Sequence, residues 1–392
     1  MRPLALTGLG IVSPLGVGRA AFFEALADPE QAARQAFEPT TEILLDSLPD
    51  AHTAEIWGWD PAHWLGKKGH RSFDRLTKFL IVAAKHALED AGLKEGGEFL
   101  HLSPAEVGIC SATAYGSLDA ITELNRVAEL EDPRYINPTR FPNTVINAAA
   151  GYVSIWEDLR APNTTVVDGN CGSLDAFLGC ATHLACGRAR AFLVGGGEIV
   201  SEPLYLAMHH LGLLRDERGI GLIPSEGASY VVVEPSEQAR ARGATIAAEL
   251  LGYGTHFEPP RSEALLAHAS STSVELAILG ALGDAGLEPS AIDAISSSQS
   301  GLEELDAAER EGIVAALGPD VPILAPKLVL GESFGAAGAF GVASALGWMQ
   351  GLPMAPRVGG RAPSSPPRHV VVTAVGYYGN VSAIVLRSGD RP

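Results

Sequence analysis

Apolar residues recur along this chain with two spacings, which predict alternating helices and strands. Helical spacing is clearest over residues 79–93 (FLIVAAKHALEDAGL) and 274–287 (VELAILGALGDAGL). A proline-containing link and a β-like run follow each helix, with the runs at 105–113 and 291–298. The same unit of helix, glycine stop, link and strand therefore occurs twice, about half the chain apart, and it predicts two similar α/β halves.

Short runs that are rich in β-branched residues and almost entirely apolar predict further strands, covered on both faces of a sheet. These runs are residues 164–169, 189–197, 228–235, 369–376 and 382–388. No low-complexity linker separates the halves, and we divide the chain into residues 1–240 and 241–392. The longest uncharged run, 333–356, is rich in Gly and Ala, so it predicts a buried helix rather than a membrane span.

Composition and charge narrow the class of protein. The chain has 392 residues and a formal net charge of −18, which argues against nucleic acid and anionic membranes as partners, because both attract basic surfaces. Four cysteines without a CxxC pair form no disulfide framework, and the first 16 residues are not typical of a signal peptide, so a cytoplasmic location is expected. The Gly-rich run at 194–198 lacks GxGxxG spacing, and neither a cofactor nor a metal is expected.

Cys171 stands between an apolar run and the predicted start of a helix. The apolar positions that continue this helix are Leu174, Phe177, Leu178, Ala181 and Leu184. Because free N–H groups and the helix dipole stabilise a thiolate, we expect the Cys171 thiol to have a lowered pKa and to act as a nucleophile. The alternative is a buried small hydrophobic residue without a reactive role.

Seven blocks, in order along the whole chain, carry a resemblance to a known family. They are residues 6–16 (LTGLGIVSPLG), 141–155, 161–173, 189–198, 224–235, 326–339 and 375–386. The chain resembles the β-ketoacyl synthases, condensing enzymes of the thiolase fold. This resemblance implies two fused βαβαβαββ halves in an αβαβα layered α/β fold, a dimer, and substrates carried as acyl thioesters on an acyl carrier protein.

In this family a cysteine accepts the acyl chain, and two histidines help to decarboxylate a malonyl thioester. Carried over residue by residue, Cys171 matches the nucleophile, while Ser298 and Glu332 occupy the positions of the two histidines. The acidic and lysine residues that frame the family's site are matched by Asp306, Glu309 and Lys327. Decarboxylation needs hydrogen-bond donors aimed at a developing negative charge, which an ionised Glu332 would oppose.

The altered blocks, 301–313 and 321–333, are similar to those of one subfamily, the chain-length factors of type II polyketide synthases. These subunits pair with a true ketosynthase and do not elongate the chain, so we expect a non-elongating subunit in a heterodimer or a homodimer. Chain-length factors usually lack the cysteine, and Cys171 therefore leaves open an acyltransferase that uses Glu332 as a base. An active β-ketoacyl synthase is the third alternative, which would need water or another donor in place of both histidines.

Two tyrosines complete the predicted site. By resemblance, Tyr377 takes the place of a phenylalanine that gates acyl entry, and its N–H is expected to form an oxyanion hole with the N–H of Cys171. Tyr378 replaces a glycine of the family, so it is expected to narrow the site.

A basic cluster stands out in this acidic chain. It contains Lys67, Lys68, Arg71 and Arg75, followed by Lys78. Such a cluster is expected to dock the acidic helix of a carrier protein by electrostatic attraction. The alternative is a solvated helix face without a partner.

Overall fold

The computed structural model of the chain describes residues 2–37, 52–262, 267–352 and 356–389, and it contains the predicted repeat of strands and helices. Within these residues the strands are β1 (Leu4–Ser13), β2 (Gly16–Val17), β3 (Lys94–Glu95), β4 (Glu98–Phe99), β5 (Val107–Ala112), β6 (Asn163–Val166), β7 (Ala191–Glu198), β8 (Gly227–Pro235), β9 (Ala248–Phe257), β10 (Ala294–Ser296), β11 (Ile323–Leu324), β12 (Arg357–Gly359), β13 (His369–Val375) and β14 (Asn380–Ser388). The helices are α1 (Arg19–Ala25), α2 (Pro29–Ala36), α3 (Pro61–Leu65), α4 (Arg75–Asp90), α5 (Leu118–Arg126), α6 (Ala148–Glu157), α7 (Gly172–Ala185), α8 (Glu202–His210), α9 (Ser236–Ala241), α10 (Ser271–Ala285), α11 (Glu303–Leu317), α12 (Lys327–Leu330) and α13 (Ala337–Met349).

Both halves of the chain order their strands in the same way. The first half runs β6–β5–β7–β8–β1 in space, and the second runs β11–β10–β13–β14–β9. In the first half β5 is parallel to β6 and β7, while β7–β8 and β8–β1 are antiparallel. The second half repeats these directions strand for strand, and β1 pairs with β9 where the halves join. The predicted βαβαβαββ repeat is therefore confirmed, whereas the division after residue 240, which falls inside α9, stays a prediction.

Five layers stack on one another. Helices α7 and α13 lie in the middle and contact strands of both halves, α4 covers the outer face of the first sheet, and α10 covers the outer face of the second. Strand residues alternate between layers, so that Val231 and Val233 join the middle core while Val232 joins the core under α4. Because both faces of each sheet are covered, the strands are almost continuously apolar. This αβαβα arrangement is the thiolase-like fold that the resemblance implies.

Small residues bring the two middle helices into close contact. A Cβ atom at Gly338 would lie 2.8 Å from Ser173 Oγ, and the Ala339 N–H donates to the same oxygen at 3.0 Å. Every residue of α13 is buried, which confirms the buried helix predicted within the uncharged run, although residues 353–355 of that run lie outside the described residues. The contact sets the N-termini of α7 and α13 side by side.

No helix in the described ranges is long and apolar enough to cross a membrane.

Candidate functional site

A small polar cavity lies where the two halves meet at the ends of the middle helices. Its volume is about 10 Å³, on the order of a single water molecule. The 3-10 turn before α7 supplies Asn170, the segment after β10 supplies Ser298, and α12 supplies Lys327. Glu332 follows α12, and Tyr377 follows β13. Side chains that are far apart in sequence therefore meet in one place.

The carboxylate of Glu332 is the centre of this cavity. Its Oε2 accepts hydrogen bonds from Lys327 Nζ at 2.8 Å, Tyr377 OH at 3.2 Å and Asn170 Nδ2 at 3.3 Å. Its Oε1 accepts from the Phe334 N–H at 2.8 Å. The Glu332 side chain is fully buried, and Lys327 balances its charge. Four hydrogen bonds, three of them to Oε2, therefore hold the Glu332 carboxylate in place within the protein.

Ser298, at the position of the first family histidine, is similarly occupied. Its Oγ accepts from Lys327 Nζ at 2.9 Å and from the Val375 N–H at 3.1 Å. Both lone pairs of the hydroxyl oxygen are thus used within the protein. The same lysine therefore contacts both residues that stand in place of the histidines.

The framing acids hold the backbone around Ser298. Glu309 Oε1 accepts from the Ser298 N–H at 2.8 Å and from Thr373 Oγ1 at 2.6 Å. Burial raises the pKa of the Glu309 carboxyl to about 7. Asp306 accepts from the N–H groups of Ser300 and Gly301, both at 3.0 Å, and burial raises its pKa as well. Both carboxylates therefore accept hydrogen bonds from the main chain of the loop that carries Ser298.

Cys171 does not line the cavity. Its buried thiol donates instead to the carbonyl oxygens of Ala374 at 3.3 Å and Asn380 at 3.6 Å. Burial raises the pKa of this thiol, and the charges of Asp175 and Asp168 raise it further. The pKa of the thiol is therefore raised and not lowered as expected, because a buried thiolate would lose its hydration beside two carboxylates.

The residue that reaches the cavity from this turn is Asn170, which the sequence analysis missed. It lies one position before Cys171, and its amide donates to Glu332 Oε2 and to the Val375 carbonyl, both at 3.3 Å. Both residues precede α7, so helical periodicity gave no signal to choose between them. The side chain at the cavity is thus an amide, which is not a nucleophile.

The two tyrosines have different surroundings. Tyr377 is buried beside Glu332, and burial together with the Glu332 charge raises its phenol pKa. Tyr378 is 66% exposed, so its side chain does not narrow the cavity as expected. The N–H of Cys171 already donates to the Asp168 carbonyl at 3.1 Å, which leaves the expected oxyanion hole without one of its two donors.

The basic cluster also separates into two parts. Lys67, Lys68 and Arg71 are exposed on the loop between α3 and α4. Arg75 instead makes a two-pronged ion pair with the buried Glu226, at 2.6 and 2.9 Å. The expected docking role of Arg75 gives way to a structural one, because its guanidinium neutralises a carboxylate that is out of reach of water.

Among the residues that the structure describes, no group of three or more His, Cys, Asp or Glu side chains is arranged to hold a metal ion.

Comparisons with known proteins agree with this architecture. The family model for the N-terminal domain of β-ketoacyl synthases matches residues 1–239. The family model for their C-terminal domain matches residues 247–360. A 3-oxoacyl-[acyl-carrier-protein] synthase 2 of Coxiella burnetii is 32% identical over 360 residues, covering 86% of this chain and 83% of that protein. A Streptomyces coelicolor protein named "Putative polyketide beta-ketoacyl synthase 2" is 31% identical, covering 100% of this chain and 96% of its own length.

One solved structure, "The ishigamide ketosynthase/chain length factor", has a TM-score of 0.85 at 25% identity and covers 99% of this chain and 100% of its own.

We predict that Lys327→Met destabilises the fold strongly. Glu332 would be left as an unpaired buried charge, which lowers the free energy of unfolding by roughly 3–5 kcal/mol. The double variant Lys327→Met/Glu332→Gln removes both charges and should recover much of this loss. Denaturant unfolding measures both values. Arg160→Met, which breaks an exposed pair with Asp158, serves as the control and should leave stability unchanged. A single variant as stable as the wild type would contradict the prediction.

We predict that iodoacetamide modifies the exposed Cys186 of the folded protein and leaves Cys171 unmodified at about pH 8, because only an accessible thiolate reacts. Peptide mass mapping identifies the modified residues. In concentrated guanidinium chloride all four cysteines should react, which shows that the reagent is competent. Modification of Cys171 as fast as that of Cys186 would show that its thiol is accessible.

Proposed function

Because the chain belongs to the β-ketoacyl synthase family, with relatives in fatty-acid and polyketide synthesis, we propose that it is a non-elongating subunit of the chain-length-factor kind. One observation carries the proposal. Among the described residues that line the polar cavity there is neither a cysteine nor a histidine, and Asn170, Ser298 and Glu332 bond to one another or to Lys327.

Condensation has two requirements that this cavity does not meet. A thiolate must first attack the acyl thioester, so that a new C–S bond forms and the carrier thiol leaves. The malonyl group must then lose CO₂, and its enolate oxygen needs donors that are not already engaged. Here the donors of Lys327, Asn170 and Tyr377 point at the Glu332 carboxylate. A second anion at this place would be repelled.

Acyl transfer by Cys171 has less support than the non-elongating role. The thiol is buried, donates to two main-chain carbonyls, and lies outside the cavity. Glu332, the base that such an enzyme would use, already accepts four hydrogen bonds from the protein. Both groups would have to leave their partners before they could act.

The open edge of the first sheet supports a partner subunit of the same fold. Among the described residues, strand β6 ends the strand order and pairs only with β5, so one row of its N–H and C=O groups has no partner strand there. Exposed apolar side chains flank this edge: Ile155 on α6, Val167 after β6 and Leu178 on α7. We propose that this edge joins a second subunit, namely an intact ketosynthase.

The exposed basic loop supports a carrier protein as the other partner. Lys67, Lys68 and Arg71 concentrate positive charge on a protein whose net charge is −18. An acidic helix would be attracted to this loop and repelled by most of the remaining surface. We therefore propose that these three residues dock the carrier, without Arg75.

We expect no covalent acyl adduct when the protein is incubated with acyl-carrier and malonyl-carrier thioesters, and no release of CO₂. Intact mass and a CO₂ assay measure the two outcomes, with a Cys-His-His ketosynthase as the positive control. Cys171→Ala should behave like the wild type. An adduct that disappears in Cys171→Ala would overturn the non-elongating role and establish an acyltransferase.

We expect Ile155→Glu to weaken association with the partner subunit, because a charge would be buried in the contact. Sedimentation of the protein alone, and mixed with a type II ketosynthase, measures the assembly state. Leu276→Glu on α10 is the matched control, since Leu276 is also an exposed apolar residue but lies on the opposite outer layer. Equal association of both variants would argue against the β6 edge as the interface.

A further inference from the structure

Three aromatic side chains pack together beside the polar cavity, and we call Tyr115, Phe334 and Tyr377 the aromatic plug. The Phe334 ring lies between the other two, with centroid distances of 5.2 Å to Tyr115 and 6.5 Å to Tyr377. Both contacts are nearly perpendicular, at 84° and 87°, which is a favoured arrangement of aromatic rings. Phe334 is only 1% exposed, so the neighbouring side chains surround its ring almost completely.

The backbone of Phe334 is held in an unusual conformation. Its φ is +44°, in the left-handed region that side chains other than glycine rarely adopt. The following Gly335 packs so closely on the loop at Thr113–Ala114 that a Cβ would lie 2.5 Å from the Ala114 nitrogen. Strained backbone of this kind persists only where the surroundings fix it, and it is typical of functional positions.

The loop opposite Phe334 is itself fixed by a buried carboxylate. Glu198 accepts hydrogen bonds from the Ala114 N–H at 2.7 Å, the Gly116 N–H at 3.0 Å and Thr113 Oγ1 at 3.0 Å. Tyr115 is therefore presented to Phe334 by a rigid loop. Behind the plug, Leu204 and Met208 of α8 belong to the same apolar cluster as Phe334.

Glu332 connects this plug to the polar cavity. Its Oε1 accepts from the Phe334 N–H at 2.8 Å, and its Oε2 accepts from the Tyr377 hydroxyl at 3.2 Å. One carboxylate thus holds two of the three aromatic residues, and Lys327 holds the carboxylate. We propose that Glu332 is a positioning residue that keeps Phe334 and Tyr377 closed over Asn170, so that acyl chains and their thioesters are excluded from this subunit's own cavity.

This inference rests on the proposed non-elongating function and adds a physical cause to it. Loss of the histidines would leave an inactive but open pocket, which could still bind acyl thioesters in competition with a partner's active site. A plug held by Glu332 removes that competition. The cavity of about 10 Å³ beside the plug has room for about one water molecule and is too small for a pantetheine arm or an acyl chain.

A reporter thiol at Asn170 tests the plug directly. Asn170→Cys is made in a Cys186→Ser background, in which the remaining native cysteines, Cys110, Cys171 and Cys180, are buried. The rate of iodoacetamide addition is followed by intact mass and peptide mapping, and it is divided by the rate in denaturant. We expect the reporter to react far more slowly in the folded protein than in the denatured protein.

Two further changes should open the cavity. Phe334→Gly removes the central ring at a backbone conformation that suits glycine, and it should accelerate labelling on the order of tenfold or more. Tyr377→Phe keeps the ring and deletes only its hydrogen bond to Glu332, and it should accelerate labelling roughly fivefold, the factor expected for one net hydrogen bond. Tyr378→Phe, which deletes the hydroxyl of the neighbouring exposed tyrosine, is the matched control and should change nothing.

The results separate this inference from the proposed function. A reporter that reacts as fast in the folded as in the denatured protein, or that is unaffected by both Phe334→Gly and Tyr377→Phe, would overturn the plug while leaving the non-elongating role intact. Acylation of Cys171 in the wild type would overturn the role itself. Because Tyr377→Phe is nearly isosteric, its result stands even if Phe334→Gly does not fold.

Discussion

The buried ion pair between Lys327 and Glu332 is the interaction on which the rest of the site depends. A carboxylate without exposure to water costs several kcal/mol unless a cation and hydrogen-bond donors compensate it. Lys327 supplies the charge at 2.8 Å, and Asn170, Tyr377 and the Phe334 N–H supply the remaining donors. The hydrogen bond to the buried carboxylate fixes the position of each of these donors.

The fold makes this pairing possible through the contact between the two middle helices. Gly338 allows α13 to approach Ser173 at the start of α7, so that the turn carrying Asn170 comes within hydrogen-bond distance of Glu332. A larger residue at 338 would push the two helix ends apart. The internal repeat therefore builds the core and also places the N-terminus of α7, from the first half, against the N-terminus of α13, from the second half.

The sequence predicts the fold and most of the site residues better than it predicts the direction in which single side chains point. Periodicity and the repeated unit led to the two halves, and the family blocks led to Ser298, Lys327 and Glu332, which the structure brings together. Cys171 and Asn170 could not be distinguished, since adjacent residues in a 3-10 turn face different sides and the spacing of apolar residues begins only after them.

Contacts between residues that are far apart in sequence explain the other differences between the predicted and the observed site. The sequence around Arg75 does not show that its guanidinium donates to Glu226. This carboxylate lies 151 positions further along the chain and is buried inside the fold. Similarly, Tyr377 and Tyr378 are neighbours in sequence, yet only Tyr377 points towards Glu332, because the loop after β13 alternates its side chains between cavity and solvent. Both outcomes depend on tertiary contacts that no local pattern contains.

The way in which the polar groups of the cavity are satisfied is itself an argument about function. A catalytic group needs a free lone pair or a free proton at the moment of reaction, and it therefore tends to be left incompletely paired. In this cavity Glu332 has four donors and the Ser298 oxygen has two, so the network gains rigidity and loses reactivity together. A decayed active site would leave unpaired groups behind, whereas Asn170, Lys327 and Glu332 complement one another. Such complementarity is expected of residues that act together to keep a site closed, and it is consistent with our proposal that partners contact the protein at the β6 edge and at the basic loop.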